Sequence, residues 1–139
     1  MTRDVAKVQE IIHHAFYGDF SSPALIEYTR SLHRHFRVAA LTNTWSFGRE
    51  MIEQRGIADL FDLIVTSAEE GIQKPDPRIF RITLERLGIT ASEAVFIDDT
   101  EENVEAARVM GIHGIRFSHT EQLMEELDKL LRQLNHRQG

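Results

Sequence analysis

The fold class is decided by AVFIDD, residues 94–99, in which four apolar residues run directly into two carboxylates. A strand with one face in water alternates apolar and polar residues, whereas a parallel strand covered by helices on both faces is apolar throughout. Residues 94–97 therefore predict a buried parallel strand. The two aspartates follow it at the carboxyl end, where open parallel α/β sheets place their ligand sites.

The rest of the chain repeats this pattern of short apolar runs between helical segments. Three further runs predict strands: residues 38–41, 63–65 and 112–117. Asp76 and Pro77 predict the start of a helix, and Gly88 predicts its left-handed end. The alternation predicts an α/β fold, a parallel sheet flanked by helices.

The N-terminal segment from Asp4 to Tyr17 carries apolar residues at helical spacing, namely Val5, Val8, Ile12, Ala15 and Phe16. We expect a helix here, without a strand before it. No internal repeat or linker divides the chain, so we expect one domain over residues 1–139. Within it, residues 1–18 would precede an α/β core of residues 19–139.

Composition narrows the classes of function. The 139 residues carry a formal net charge of -6, which argues against nucleic acid and acidic membrane surfaces as partners. The chain has no cysteine, which excludes disulfides, thiolate metal sites and a cysteine nucleophile. No apolar stretch is long enough to span a membrane, and no signal-peptide pattern is present, so we expect a cytoplasmic protein.

Polar residues follow two further predicted elements. Thr42 and Asn43 come directly after the run at 38–41, where a hydroxyl, an amide and backbone N–H groups would hold a phosphate oxygen. Lys74 directly precedes Pro75 and Pro77, which stiffen the backbone before a capped helix, and it would face the same anion. The alternatives are a capped strand-to-helix turn for the first pair and a solvated surface lysine for the second.

The acidic pair Asp98 and Asp99 is the most specific single feature, with Asn103 one helical turn further on. Two adjacent carboxylates at the end of a buried strand repel each other unless a cation or hydrogen bonds compensate, and magnesium is the natural cation. The alternative is that one carboxylate caps the next helix while the other is solvated.

In chain order these features resemble the second, third and fourth motifs of the haloacid dehalogenase-like (HAD) superfamily. The matching stretches are LTN at 41–43, GIQKPDP at 71–77 and FIDDTEEN at 96–103. They most resemble members with a helical cap, including the phosphatase-like N-terminal domain of bifunctional epoxide hydrolases. The resemblance implies that Thr42 and Asn43 bind the transferred phosphoryl group and that Lys74 neutralises its charge.

For the acidic motif the resemblance implies that Asp99, supported by Asp98, holds magnesium and that Asn103 steadies the acidic loop. A two-component receiver domain also groups aspartates, a hydroxyl residue and a lysine around magnesium. Its acidic pair comes first along the chain and its lysine last, whereas here the acidic pair comes last. The chain order therefore favours the HAD resemblance.

The sequence departs from the family at the first motif, an apolar strand ending in Asp-x-Asp whose first carboxylate attacks phosphorus. No such segment is present, and the opening helix resembles the tail of a helical cap. We therefore expect a scaffold for a phosphate or carboxylate anion that is inactive as an isolated chain and binds magnesium weakly or not at all. The alternative function is a noncatalytic association module.

The absent strand has a structural consequence, because in the family it lies between the strands that end here at Thr42 and Asp98. Its loss predicts a gap with two facing strand edges. We expect the gap to be filled by self-association or a partner chain, or to close by direct pairing of the two strands.

Overall fold

The computed structural model describes residues 10–13 and 23–43, isolated positions between 50 and 56, and residues 58–138; for residues 10–13 and 135–138 it describes the backbone. Within these described ranges, five strands form one parallel sheet: β1 (Glu10–His13), β2 (Arg37–Thr42), β3 (Leu63–Thr66), β4 (Ala94–Asp98) and β5 (His113–Arg116). Their order across the sheet is β3-β2-β1-β4-β5. The predicted α/β fold with a parallel sheet is confirmed.

The described helices are α1 (Pro23–His33), α2 (Ser67–Glu70), α3 (Pro77–Leu87), α4 (Glu101–Val109) and α5 (Thr120–Gln138), with 3-10 turns at Ala58–Leu60 and Ala91–Glu93. The α3 ends follow the sequence prediction. The Asp76 side chain accepts a hydrogen bond from the Arg78 N–H, and Gly88 adopts the left-handed conformation at a φ of 70°. None of the helices in the described part of the chain is long and apolar enough to cross a membrane.

Both faces of the sheet are covered, as the apolar run at 94–97 predicts. On one face β2 and β4 pack against α1 and α5, and on the other face against α3 and α4. Residues Ala94 to Asp98 of β4 are all fully buried. Close packing between β5 and α4 also explains why residue 114 is a glycine, since a Cβ atom at this position would lie 2.8 Å from Val104 Cγ1 of α4.

The N-terminal segment differs from its prediction. Residues 10–13, expected within a helix, form β1 at the centre of the sheet, paired with β2 on one side and β4 on the other. Two successive isoleucines favour a strand, and the facing edges of β2 and β4 satisfy its backbone N–H and C=O groups. The other residues of the predicted helix lie outside the described part.

The expected gap is therefore closed in a way that the sequence did not predict. The strands that end at Thr42 and Asp98 do not pair with each other, because each pairs with β1. The position that carries the nucleophile strand in the resembled family is thus filled by residues 10–13 of the same chain.

Candidate functional site

The predicted site residues meet at the carboxyl edge of the sheet. Thr42 ends β2 and Asp98 ends β4, and both are buried. The loop of residues 71–76, between α2 and α3, brings Lys74 to the same edge, where it is only 2% exposed. Three elements that are distant in sequence therefore supply one cluster.

The centre of this cluster is an ion pair between Lys74 and Asp98. The Lys74 ammonium donates to Asp98 Oδ2 at 2.9 Å and to the Leu41 carbonyl at 3.0 Å, and both charged side chains have 0% exposure. The ammonium also lies 5.6 Å from the centre of the Phe96 ring. Burial lowers the pKa of Lys74 to about 8, and the Asp98 carboxylate opposes that fall.

The Asp98 carboxylate has partners on both oxygens. Besides the lysine, Oδ1 accepts from the Thr100 backbone N–H at 2.9 Å, and Oδ2 accepts from Asn103 Nδ2 at 3.2 Å. A buried carboxylate is tolerated only when it is paired and hydrogen-bonded in this manner. The family resemblance implies a role for Asn103 beside the acidic motif, but it assigns Lys74 to the phosphoryl group. The Lys74–Asp98 pair and the hydrogen bond from the Thr100 N–H were therefore not predicted from the sequence.

Asp99 differs from its neighbour because it is exposed. Its Oδ1 accepts a hydrogen bond from Thr100 Oγ1 at 3.3 Å. Partial burial, followed by the influence of the Asp98 carboxylate, raises the pKa of Asp99. Asp99 is thus the member of the acidic pair that faces the solvent side of the edge.

Asn43 contacts the lysine loop. Its Nδ2 donates to the Lys74 carbonyl at 3.1 Å, and its Oδ1 accepts from the Lys74 N–H at 2.9 Å. This paired contact joins the end of β2 to the loop. Both the nitrogen and the oxygen of the Asn43 amide thus contact protein backbone, where the resemblance implies contact with phosphate.

The carboxylates of Asp98 and Asp99 are not arranged to bind a magnesium ion well. Both Asp98 oxygens are engaged by Lys74, Thr100 and Asn103, which leaves Asp99 as the exposed carboxylate of the motif. A hard divalent cation requires several oxygen ligands. Among the residues that the structure describes, no three His, Asp or Glu side chains are grouped so that they could hold a metal.

Strand β1 ends at this edge without an aspartate. His13 is in register with Ala40 of β2 and Ile97 of β4, one residue short of the level of Asp98. The sequence from Val5 to Gly18 contains no aspartate. No Asp-x-Asp pair therefore lies in or next to the strand that fills the nucleophile position.

A model of haloacid dehalogenase-like hydrolases matches residues 4–111. The chain belongs to this family. Mouse acyl-CoA dehydrogenase family member 10 is 48% identical over 71 residues, a stretch that covers 51% of this chain and 7% of that protein. Rat bifunctional epoxide hydrolase 2 is 32% identical over 100 residues, which cover 68% of this chain and 18% of that protein. The predicted resemblance is confirmed at the level of the family.

Among solved structures, a HAD family enzyme of Bacteroides thetaiotaomicron was crystallised as an Asp-to-Ala mutant with magnesium and inorganic phosphate. It superposes with a TM-score of 0.65 at 26% identity, over 70% of this chain and 53% of that one. This chain thus spans well under two thirds of the length of these relatives.

Proposed function

We propose that this HAD-like chain provides an anion-binding framework of the phosphatase type that does not hydrolyse phosphate esters by itself. The observation that carries the proposal is strand β1, because it occupies the nucleophile position and brings no aspartate to the site edge. In this proposal Thr42 and the neighbourhood of Lys74 receive a phosphate or carboxylate group. The chain's own residues hold the anion and do not attack it.

The charge balance of the cluster determines which groups would hold an anion. The Lys74 ammonium and the Asp98 carboxylate neutralise each other within the buried pair. In this proposal an arriving anion is held by the dipoles of Thr42 and the loop backbone, beside this neutral pair. Covalent phosphoryl transfer requires a nucleophile aligned with phosphorus, and no described carboxylate takes that place.

A turnover assay tests this proposal. With magnesium and a generic phosphate monoester, we expect no hydrolysis above the buffer blank, because loss of a covalent nucleophile removes several orders of magnitude in rate. Asp99→Ala is the matched variant, since it removes the exposed carboxylate of the motif. Turnover by the unmodified chain that disappears in Asp99→Ala would overturn the proposal.

Association with a second copy or a partner chain, through strands β2 and β4, is a separate proposal. Since β1 pairs with both β2 and β4, an incoming strand has to displace β1 before it can enter between those two strands. Sedimentation over a range of concentrations tests this. A monomer at every concentration would contradict association.

A further inference from the structure

Asn43 bonds to the main chain of Lys74 in a way that sets the position of the lysine. The two hydrogen bonds, of 3.1 and 2.9 Å, engage the carbonyl and the N–H of the same residue. An amide that donates and accepts toward one backbone unit fixes its orientation as well as its distance. The Asn43 side chain thus ties the loop of residues 71–76 to the end of β2.

The position of the Lys74 side chain depends on these two hydrogen bonds to its backbone. Its ammonium reaches the Leu41 carbonyl, 33 residues earlier, and the Asp98 carboxylate, 24 residues later. Both contacts are buried, and both require the lysine backbone to lie at one place over the sheet edge. Asn43 belongs to the same strand end as Leu41, so one element holds both ends of the lysine.

We infer that Asn43 is a positioning residue, which holds the Lys74 backbone so that the ammonium stays between Leu41 and Asp98, and which affects a bound anion only through Lys74. The second half of this inference rests on the proposed anion-binding function. The first half stands without it. The competing role is a direct hydrogen bond from the remaining N–H of the Asn43 amide to the anion.

The experiment uses the small number of lysines in the chain. The sequence contains Lys7, Lys74 and Lys129, so protein labelled with lysine carrying ¹³C at Cε alone gives three Cε signals, one for each lysine. The Lys74 signal is assigned as the one that remains when Lys7→Arg and Lys129→Arg remove the other two, so the buried pair stays intact. Because the Lys74 ammonium lies 5.6 Å from the Phe96 ring centre, we expect its Cε–Hε signal to be displaced from that of exposed Lys129.

In Asn43→Ala at neutral pH, we expect the Lys74 signal to move toward the position of Lys129, since the loop is released and the ammonium regains water. Asn43→Ser, whose short hydroxyl cannot make both bonds, should do the same. Gln73→Ala is the matched control, because it removes an exposed amide from the same loop and should leave the Lys74 signal in place. Backbone amide spectra verify that each variant is folded.

Addition of inorganic phosphate separates this inference from the proposed function. Phosphate is expected to move the Lys74 signal in the unmodified chain. In Asn43→Ala the signal should already lie nearer the position of Lys129 before phosphate is added, and the further change caused by phosphate should be smaller. A Lys74 signal that stays in place in both Asn43 variants overturns the inference, whether or not phosphate binding is lost. If phosphate has no effect on the unmodified chain, the anion-binding proposal fails, while the comparison of variants still decides the role of Asn43.

Discussion

Asp98→Ala is expected to lower the free energy of unfolding by about 3–5 kcal/mol, the usual cost of leaving one member of a buried ion pair alone. The lysine ammonium and the carboxylate are both fully buried, so water cannot replace the lost partner. The same change also removes the acceptor for Thr100 N–H and Asn103 Nδ2. Domains of this size are stable by only about 5–15 kcal/mol, so the variant is at the limit of folding.

The neighbouring aspartate provides the control. Asp99→Ala removes an equal side chain from the next position, but Asp99 is exposed, and surface substitutions change stability by about 0.5 kcal/mol or less. Urea denaturation of the two variants measures the difference. Equal midpoints would show that the Lys74–Asp98 pair is not buried as described.

Ile12→Pro is expected to destabilise the chain by about 3 kcal/mol, the upper end of the usual cost of a single substitution, because residue 12 lies at the middle of the sheet between Ala39 and Phe96. Proline has no N–H to donate to the ladder and is confined to edges and bulges of sheets. Ile12→Val keeps the backbone donor and the β-branched side chain, and should cost about 0.5–1.5 kcal/mol at most.

The comparison of these two variants separates a central strand from the helix that the sequence predicts. A helix of residues 4–17 that lies outside the core could lose its structure to proline with little effect on the global transition. Identical urea midpoints for Ile12→Pro and Ile12→Val would therefore contradict a paired β1.

The sequence predicted most of the sheet, since the signal is local wherever a strand is buried on both faces. The run at 94–97 is apolar at every position, and the structure buries each of these residues completely. The start of α3 at Asp76 and Pro77 was also predicted from backbone chemistry within a few residues. Such features depend little on the rest of the fold.

Strand β1 could not be predicted by the same reasoning. Glu10–His13 is only four residues long and lies inside a pattern whose apolar spacing fits a helix. What selects the strand is the pair of facing edges on β2 and β4, which begin at Arg37 and Ala94 and are far away in sequence. Tertiary pairing of this kind overrides local propensity.

The proximity of the candidate residues was predicted in part, whereas their roles stay predictions. The family motifs brought together Thr42, Lys74 and Asp98, and the structure places these residues at one edge of the sheet. Nothing in the sequence around Lys74 indicates that its side chain is buried. In the structure the side chain is fully buried, and its loop is hydrogen-bonded to Asn43. The contact of Asn43 with the Lys74 backbone depends on a loop 31 residues away, which sequence spacing does not reveal.

Backbone hydrogen exchange of β1 tests the central claim, that residues 10–13 of this chain fill the position of the nucleophile strand. A strand paired on both sides has its N–H groups in the ladder, so the amides of Ile11 and Ile12 should exchange as slowly as those of Val95 and Phe96 in β4. Exchange of Ile11 and Ile12 at the rate of an unstructured peptide, while the amides of β4 stay protected, would contradict the account.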